Sequence, residues 1–336
     1  MPFIGPAWAA VSRFDALLGA VPNPDLLVGL LIIREAVLSS RIEGTQATMD
    51  EVLQFEAGHE PESPAPREDI REVLNYRQAV RHAEARLKEL PLSLRVIRET
   101  HWALLQGVRG EKMAPGDFRR VQNWIGPRGC SIENAKFVPI GVQDLPEAMS
   151  AWERYIHRSG MDQLVRLAVL HAEFEALHPF LDGNGRLGLM LVPLYMWQHE
   201  IIRAPQFYIS AYFEAHRDTY YESLLSVSRD DDWTGWCRFF LEAVQMQAKD
   251  NLARVQGMVS LYDDMKRRMP DLTRSHYAIR ALDWIFANPI FSSTAFVANA
   301  GISAPTARRF LHVMVSEGLL RVVRRGRGRR PGIYAF

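Results

Sequence analysis

Apolar positions along this chain recur mostly at three- and four-residue spacing, so the sequence predicts a mostly α-helical protein. The stretch "NPDLLVGLLIIREAVLSSRIEG" (23–44) opens on helix-starting residues, Asn23, Pro24 and Asp25, and closes at Gly44, a residue suited to the position just past a helix. Helical patterns follow at 69–89, 93–107, 144–158, 162–177, 233–268 and 275–287, and "LGLMLVPLYMW" (187–197) is a further apolar helical run. "GHEPESPAPRED" (58–69) is a Pro- and acid-rich loop, and "MPDLT" (269–273) is a short break. One segment has a different rhythm. In "FRRVQNWIGPRGCSIENAKFVPI" (118–140), two β-prone runs flank Gly-Pro-Arg-Gly, which predicts a β-hairpin flap.

The last pattern lies beyond residue 274. A short helix, a turn at Gly301, a second helix from Ser303, and then "LLRVV" and "GIYAF" around a Gly/Arg turn predict a winged-helix domain over 274–336. Charge sharpens this expectation. Residues 274–336 hold ten arginines, no lysine and two acids, a net +8; the whole chain is +1, so residues 1–273 sit at −7. A basic module on an acidic body points to a polyanion for that module alone, and duplex DNA is the expected partner. A winged helix used for protein contact is the alternative.

Composition adds bounds. With 336 residues, 48% hydrophobic and 24% charged, a packed core is expected rather than disorder. The two cysteines, Cys130 and Cys237, have neither metal-ligand spacing nor the number for a disulfide framework, which favours a cytoplasmic protein. No signal-peptide pattern opens the chain and no apolar run reaches transmembrane length, so no membrane partner is expected.

Candidate chemistry gathers at "HPFLDGNGRLGLM" (178–190). Taken singly, a histidine before proline is an ordinary loop residue and Gly-Asn-Gly a common turn; the order and spacing carry the signal. Gly183 and Gly185 allow backbone N–H groups to converge on an anion, and the helix behind them adds its free N–H groups and positive dipole end. Arg186 in the first turn can fork onto phosphate oxygens. Asp182 is a hard oxygen ligand suited to Mg²⁺ together with nucleotide phosphates. His178, on the approach to the loop, is the natural base near neutral pH. His171, seven residues before His178 and able to share a helix face with it, reads as a core or supporting histidine.

"HPFLDGNGR" resembles the signature of the Fic family, His-x-Phe-x-Asp/Glu-Gly-Asn-Gly-Arg-x-x-Arg. "SSRIEGTQAT" (39–48), "FRRVQNWIG" (118–126) and "YFEAHRDTYYESLL" (212–225) are similar to other Fic segments in the same order, and the likeness spans roughly residues 20–245. The resemblance implies a Fic-type helical core that moves AMP from ATP, with Mg²⁺, to a hydroxyl side chain of a target protein. His178 would take the hydroxyl proton, with Phe180 as a core anchor. Asp182 would hold the metal, Gly183, Asn184 and Gly185 would cradle the phosphates, and Arg186 would meet the leaving pyrophosphate. The 118–140 flap would align the target protein as an added strand. Ile125, Tyr220 and Tyr221 would wall the nucleoside, although such residues are more often core.

Two features bear on regulation. Ser39-Ser40-Arg41-Ile42-Glu43-Gly44 matches the inhibitory pattern Ser/Thr-x-x-x-Glu-Gly/Asn, so Ser39 and Glu43 are expected in an N-terminal inhibitory helix. The signature's second arginine is Leu189 here. The resemblance assigns that arginine to the γ-phosphate and to a salt bridge with the inhibitory glutamate, so activity is expected to be weakened. The implied organisation is an N-terminal region at 1–92, a catalytic core at 93–245, a helical linker at 246–273 and the winged helix. A homodimer is kept as an assembly to test. A de-AMPylase using Glu43, and a DNA-binding regulator with a weakened core, remain as alternatives.

Overall fold

The computed structural model describes residues 2–21, 24–61, 64–127, 129–328 and 330–336, and no side chains at 24–28 or 64–65. Asn23 at the expected helix start, Arg128 of the flap and Arg329 of the basic tail lie outside the described residues. The chain divides into two compact units. The first holds Met1–Ala16, Glu35–Thr45 and Arg71–Leu252; the second holds Leu17–Arg34, Gln46–Ile70 and Ala253–Phe336.

In the first unit the site rests on a central pair, α7 (Gln163–Leu177) and α8 (Asn184–Gln198), with α5 (Leu94–Leu104), α6 (Leu145–Ile156) and α10 (Arg217–Asp230) against it. Every α8 residue from Asn184 to Met196 is buried, which explains why its sequence is apolar all round rather than striped. Pro193 is accommodated inside it. Helix α2 (Pro24–Ile42) ends as its sequence predicts, with Gly44 at φ +101°, where a side chain is disfavoured. Helix α7 starts on a side-chain cap: Asp162 accepts from the N–H groups of Leu164 and Val165.

Two boundaries differ from the pattern reading. Helix α4 (Pro64–Leu87) begins inside the expected loop, because prolines in a first turn forfeit only N–H groups that lack intrahelical partners anyway. Helix α11 (Trp233–Thr273) runs through the expected break at 269–273 despite Pro270. Met265 and Met269 are buried in the second unit's core and Thr273 Oγ1 donates to Met269 O at 2.7 Å, so packing holds a turn that propensity disfavours.

The flap is not a ladder. Among the described residues of 118–140 only Ile125 and Phe137 pair, as a single antiparallel bridge, and a 3₁₀ turn covers Ile132–Asn134. Pro127 and Pro139 remove donors, and Trp124 Nε1 and the Gln122 amide bond loop carbonyls instead, so the segment is a braced loop.

In the second unit, α12 (Ala278–Ala287), α13 (Ser293–Asn299) and α14 (Ala304–Ser316) accompany a three-stranded antiparallel sheet. Its order is β1 (Ile290–Ser292), β3 (Ile333–Ala335), β2 (Arg321–Arg324), with a register shift between Val322 and Arg324. Phe291, Phe296 and Phe310 are buried in its core. Helix α3 (Met49–Glu56) lies against β1 and opens on a capping box, Thr48 with Glu51, that pattern reading passed over. No helix among the described residues is long and apolar enough to cross a membrane.

Candidate functional site

The stretch 178–186 links the C-terminus of α7 to the N-terminus of α8, and both ends turn in the left-handed region. His178 has φ 44° and ψ 59°; Gly183 has φ 78°. For a non-glycine residue that conformation costs roughly 1–2 kcal/mol, so the surroundings must hold it. They come from the braced loop. Arg119 Nε and Asn123 Nδ2 both donate to the His178 carbonyl at 3.1 Å, and Arg119 N–H donates to Pro179 O at 2.8 Å.

His178 is partly buried. Its Nδ1 lies 3.3 Å from Glu175 O, a carbonyl that can only accept, so Nδ1 carries the proton and Nε2 keeps its lone pair. Loss of hydration pushes its pKa down to about 4, with Arg119 adding to the fall. The imidazole is therefore neutral at pH 7 and able to accept a proton.

Behind it, Phe180 is fully buried and stacks on His101, with centroids 3.7 Å apart. His101 bridges two backbones: Gly116 N–H donates to Nδ1 at 2.9 Å, and Nε2 donates to Asp182 O at 2.8 Å. Asn184 closes the loop on itself. Its amide donates to Phe180 O at 2.8 Å and its Oδ1 accepts from Phe180 N–H at 2.9 Å. The Asn184 side chain is thus spent on shaping the cradle.

Arg186 also faces inward. Only 1% of its surface is exposed, and its guanidinium pairs with Glu72 at 3.4 Å and Asp182 at 3.3 Å. Glu72, buried, further accepts from Thr45 Oγ1 at 2.9 Å and Arg109 at 3.3 Å. Leu189 is likewise buried, at 1% exposure.

Gly185 and Gly188 present one bare face of α8, and each is covered by a carboxylate. A Cβ at Gly185 would collide with Glu43, and one at Gly188 with Glu175. Glu43 keeps accessible surface, yet surrounding protein strips its hydration and raises its pKa; Arg186 pulls it back down, Asp182 pushes it up, and Arg217 and Arg109 pull down more weakly. Burial and then the nearby Glu43 push Glu175 up to about 8. Ser39 is wholly buried, beside Tyr76.

Of the expected nucleoside wall, Ile125 is half-buried and Tyr221 is 41% exposed, whereas Tyr220 is buried at 3% with its hydroxyl 2.9 Å from His171 Nε2. His171 stacks on Trp236 in that core, and burial lowers its pKa to about 4. Cys130 is half-buried on the flap. Among the described residues no group of three or more His, Cys, Asp or Glu side chains could hold a metal ion. Asp182, 29% exposed, offers one carboxylate, which suits Mg²⁺ only where phosphates and water complete the shell.

Glu72, His101, Arg119, Asn123 and Glu175 were not singled out by sequence reasoning. Arg119 and Asn123 lie in the "FRRVQNWIG" segment, the one available signal; Glu72 and His101 sit far from the motif in sequence, and Glu175, three residues before His178, has no pattern of its own.

Residues 1–85 match the description Fic/DOC family N-terminal and residues 91–196 match Fic/DOC family. The "Protein adenylyltransferase Fic" of Drosophila ananassae is 30% identical over 125 residues, 36% of this chain and 23% of that protein, so the match spans under a quarter of the relative's length. A Fic family protein from Desulfovibrio desulfuricans G20 has a similar fold, with TM-score 0.61 and 18% identity over 100% of this chain and 96% of that one. A Fic domain containing signaling protein from Bacteroides thetaiotaomicron also has TM-score 0.61, with 17% identity over 75% of this chain and 97% of that one.

Proposed function

The chain belongs to the Fic/DOC family, and from that premise we propose that it transfers AMP from ATP to a hydroxyl side chain of a target protein, under restraint by Glu43. The observation that carries the reading is the placement of His178, its Nδ1 against the Glu175 carbonyl so that Nε2 is the nitrogen able to accept a proton, at the mouth of a glycine loop that opens helix α8. A target hydroxyl attacks the α-phosphorus; His178 Nε2 takes its proton as the P–O bond to pyrophosphate breaks. Backbone N–H groups at Gly183–Arg186 and the α8 dipole would receive the phosphate charge. Asp182, steadied by Arg186, would hold Mg²⁺, which supplies charge neutralisation when bound. The braced loop offers a target Val121, Trp124 and Val138, exposed at 59%, 41% and 46%, beside its backbone.

Glu43 supports a restraining role by its place over Gly185, where a bound phosphate would meet a carboxylate of like charge. With ATP labelled on the α-phosphate and Mg²⁺, Glu43→Gly is expected to label protein modestly faster than the parent chain, because Leu189 itself brings no charge to the phosphates. Equal or lower labelling by Glu43→Gly would remove Glu43 from the restraint, and label removed from a modified protein would favour the reverse reaction.

For residues 274–336 we propose a winged-helix module that binds duplex DNA. The helix–strand–helix–helix–strand–strand order supports it, as do exposed Arg308, Arg325 and Arg327 and a groove of 710 Å³ lined by Arg308, His312, Arg327 and Arg330. The full chain is expected to shift duplex DNA at low salt, with affinity falling steeply as salt rises, since each arginine–phosphate contact releases about one counterion. No shift at low salt would leave protein contact as the module's use.

A further inference from the structure

A triphosphate arriving at the 182–186 loop is a polyanion, and the loop's own arginine is already committed. Arg186 is enclosed between Glu72 and Asp182, and Leu189, one turn along α8 from Gly185, is buried and uncharged. Charge for the outer phosphates must come from another element. Arg217, the first residue of α10, stands at the right place. Its Nη2 donates to the carbonyl of Ile42, the last residue of α2, and its guanidinium lies 5.8 Å over the Tyr221 ring. The next residue after Ile42 is Glu43, whose carboxylate covers Gly185 at the loop. Arg217 is exposed, so its head can exchange one partner for another. Arg109, a second cation on this side, shares Glu72 with Arg186 and is partly neutralised there.

We infer that Arg217 contacts the outer phosphates of the nucleotide and, in their absence, latches the Glu43 end of α2 over the loop, in the role of the charge that Leu189 lacks. This rests on the nucleotidyl-transfer reading above. The latch is a cation on a helix C-terminal carbonyl, favoured by the helix dipole. Phosphate is the stronger partner, because a guanidinium makes paired, charge-assisted bonds to it. One arginine serving both partners makes nucleotide arrival and release of Glu43 a single linked event. Glu43 is carried away from Gly185 as its anchor turns to the phosphates.

The test compares ATP with AMP, which lacks the outer phosphates, by calorimetry. In the Glu43→Gly chain, adding Arg217→Ala is expected to weaken ATP by about 10- to 100-fold, the loss of one charge-assisted contact, and to leave AMP unchanged. Arg217→Lys, which keeps charge but loses the fork, is expected to fall between. Adding Leu189→Arg to Arg217→Ala is expected to recover ATP affinity, since a residue at 189 leans back over the turn that holds Gly185. In the parent chain, Arg217→Ala is expected to speed amide exchange at 40–45; unchanged exchange would overturn the latch. Unchanged ATP affinity, or equal weakening of ATP and AMP, would overturn the phosphate contact. Absence of ATP binding by Glu43→Gly itself would overturn the nucleotidyl-transfer reading, and this inference with it.

Discussion

His178→Ala is expected to lower AMP transfer by about 10²- to 10⁴-fold, the usual worth of a positioned general base, while ATP affinity is kept. The lower end of that range is favoured by the imidazole's own chemistry. A base whose pKa has been pushed down to about 4 is always available at neutral pH but weakly driven. The same shift sets the pH profile. Transfer should stay level as pH falls from 7 through 6.5, where an ordinary histidine would protonate, and the His178 limb should appear only toward pH 4. ATP binding survives because the phosphate groups meet backbone N–H groups beyond His178, not its ring. Transfer of labelled AMP and calorimetry on the alanine variant measure the two effects. Undiminished labelling would overturn the assignment of His178 as base.

Acidification from pH 6.5 to 4 is expected to cost this protein about 3 kcal/mol for each fully buried histidine, from a shift of roughly two and a half pKa units. His101 and His171 are the two, exposed at 0% and 3% and both pushed down to about 4 by burial. The sign follows from proton uptake. Below pH 6.5 the unfolded chain binds protons at these histidines that the folded chain refuses, so stability falls until the folded pKa near 4 is reached. Glu175 acts in the opposite sense. Its folded pKa is raised to about 8, so it costs stability as pH rises from 4.5 to 8 and relieves that cost on acidification. Its side chain is only partly buried, so the relief is the smaller of the two effects. Stability should therefore peak near pH 6 and drop steeply below it. Urea midpoints across pH 7 to 4 would show this; a midpoint at pH 4 equal to that at pH 7 would contradict the buried-neutral state of both histidines. Loss of His101 protonation control also has a local reading, since its Nε2 holds the Asp182 carbonyl.

Several features of the fold and site were legible before any coordinates because their causes are local. Helix α7 was readable from apolar spacing and the body of α8 from its unbroken apolar run, and Gly44 from the backbone angle that a helix end demands. The histidine, acid and glycine loop lie within nine residues, so spacing alone places them together (178–186). Pairings between distant segments were not legible. Glu72 meets Arg186 across 114 residues and Asn123 meets His178 across 55, and no local pattern announces which elements will touch. The β-prone runs of 118–140 were readable, yet their main-chain groups went mostly to side chains and loop carbonyls instead of to each other.

Sequence by itself thus determined the helical character, the segregation of basic charge beyond residue 274, and the identity of the groups gathered at 178–186. Tertiary structure alone decided what those groups face. It turned Asn184 and Arg186 inward onto the loop's own backbone and carboxylates, buried Leu189, set Glu43 over Gly185, and made His178 a neutral imidazole held in a left-handed turn. The physical reason is range. Periodicity and turn chemistry depend on near neighbours in the chain, whereas burial, charge pairing and the resulting protonation states depend on which distant segments pack together.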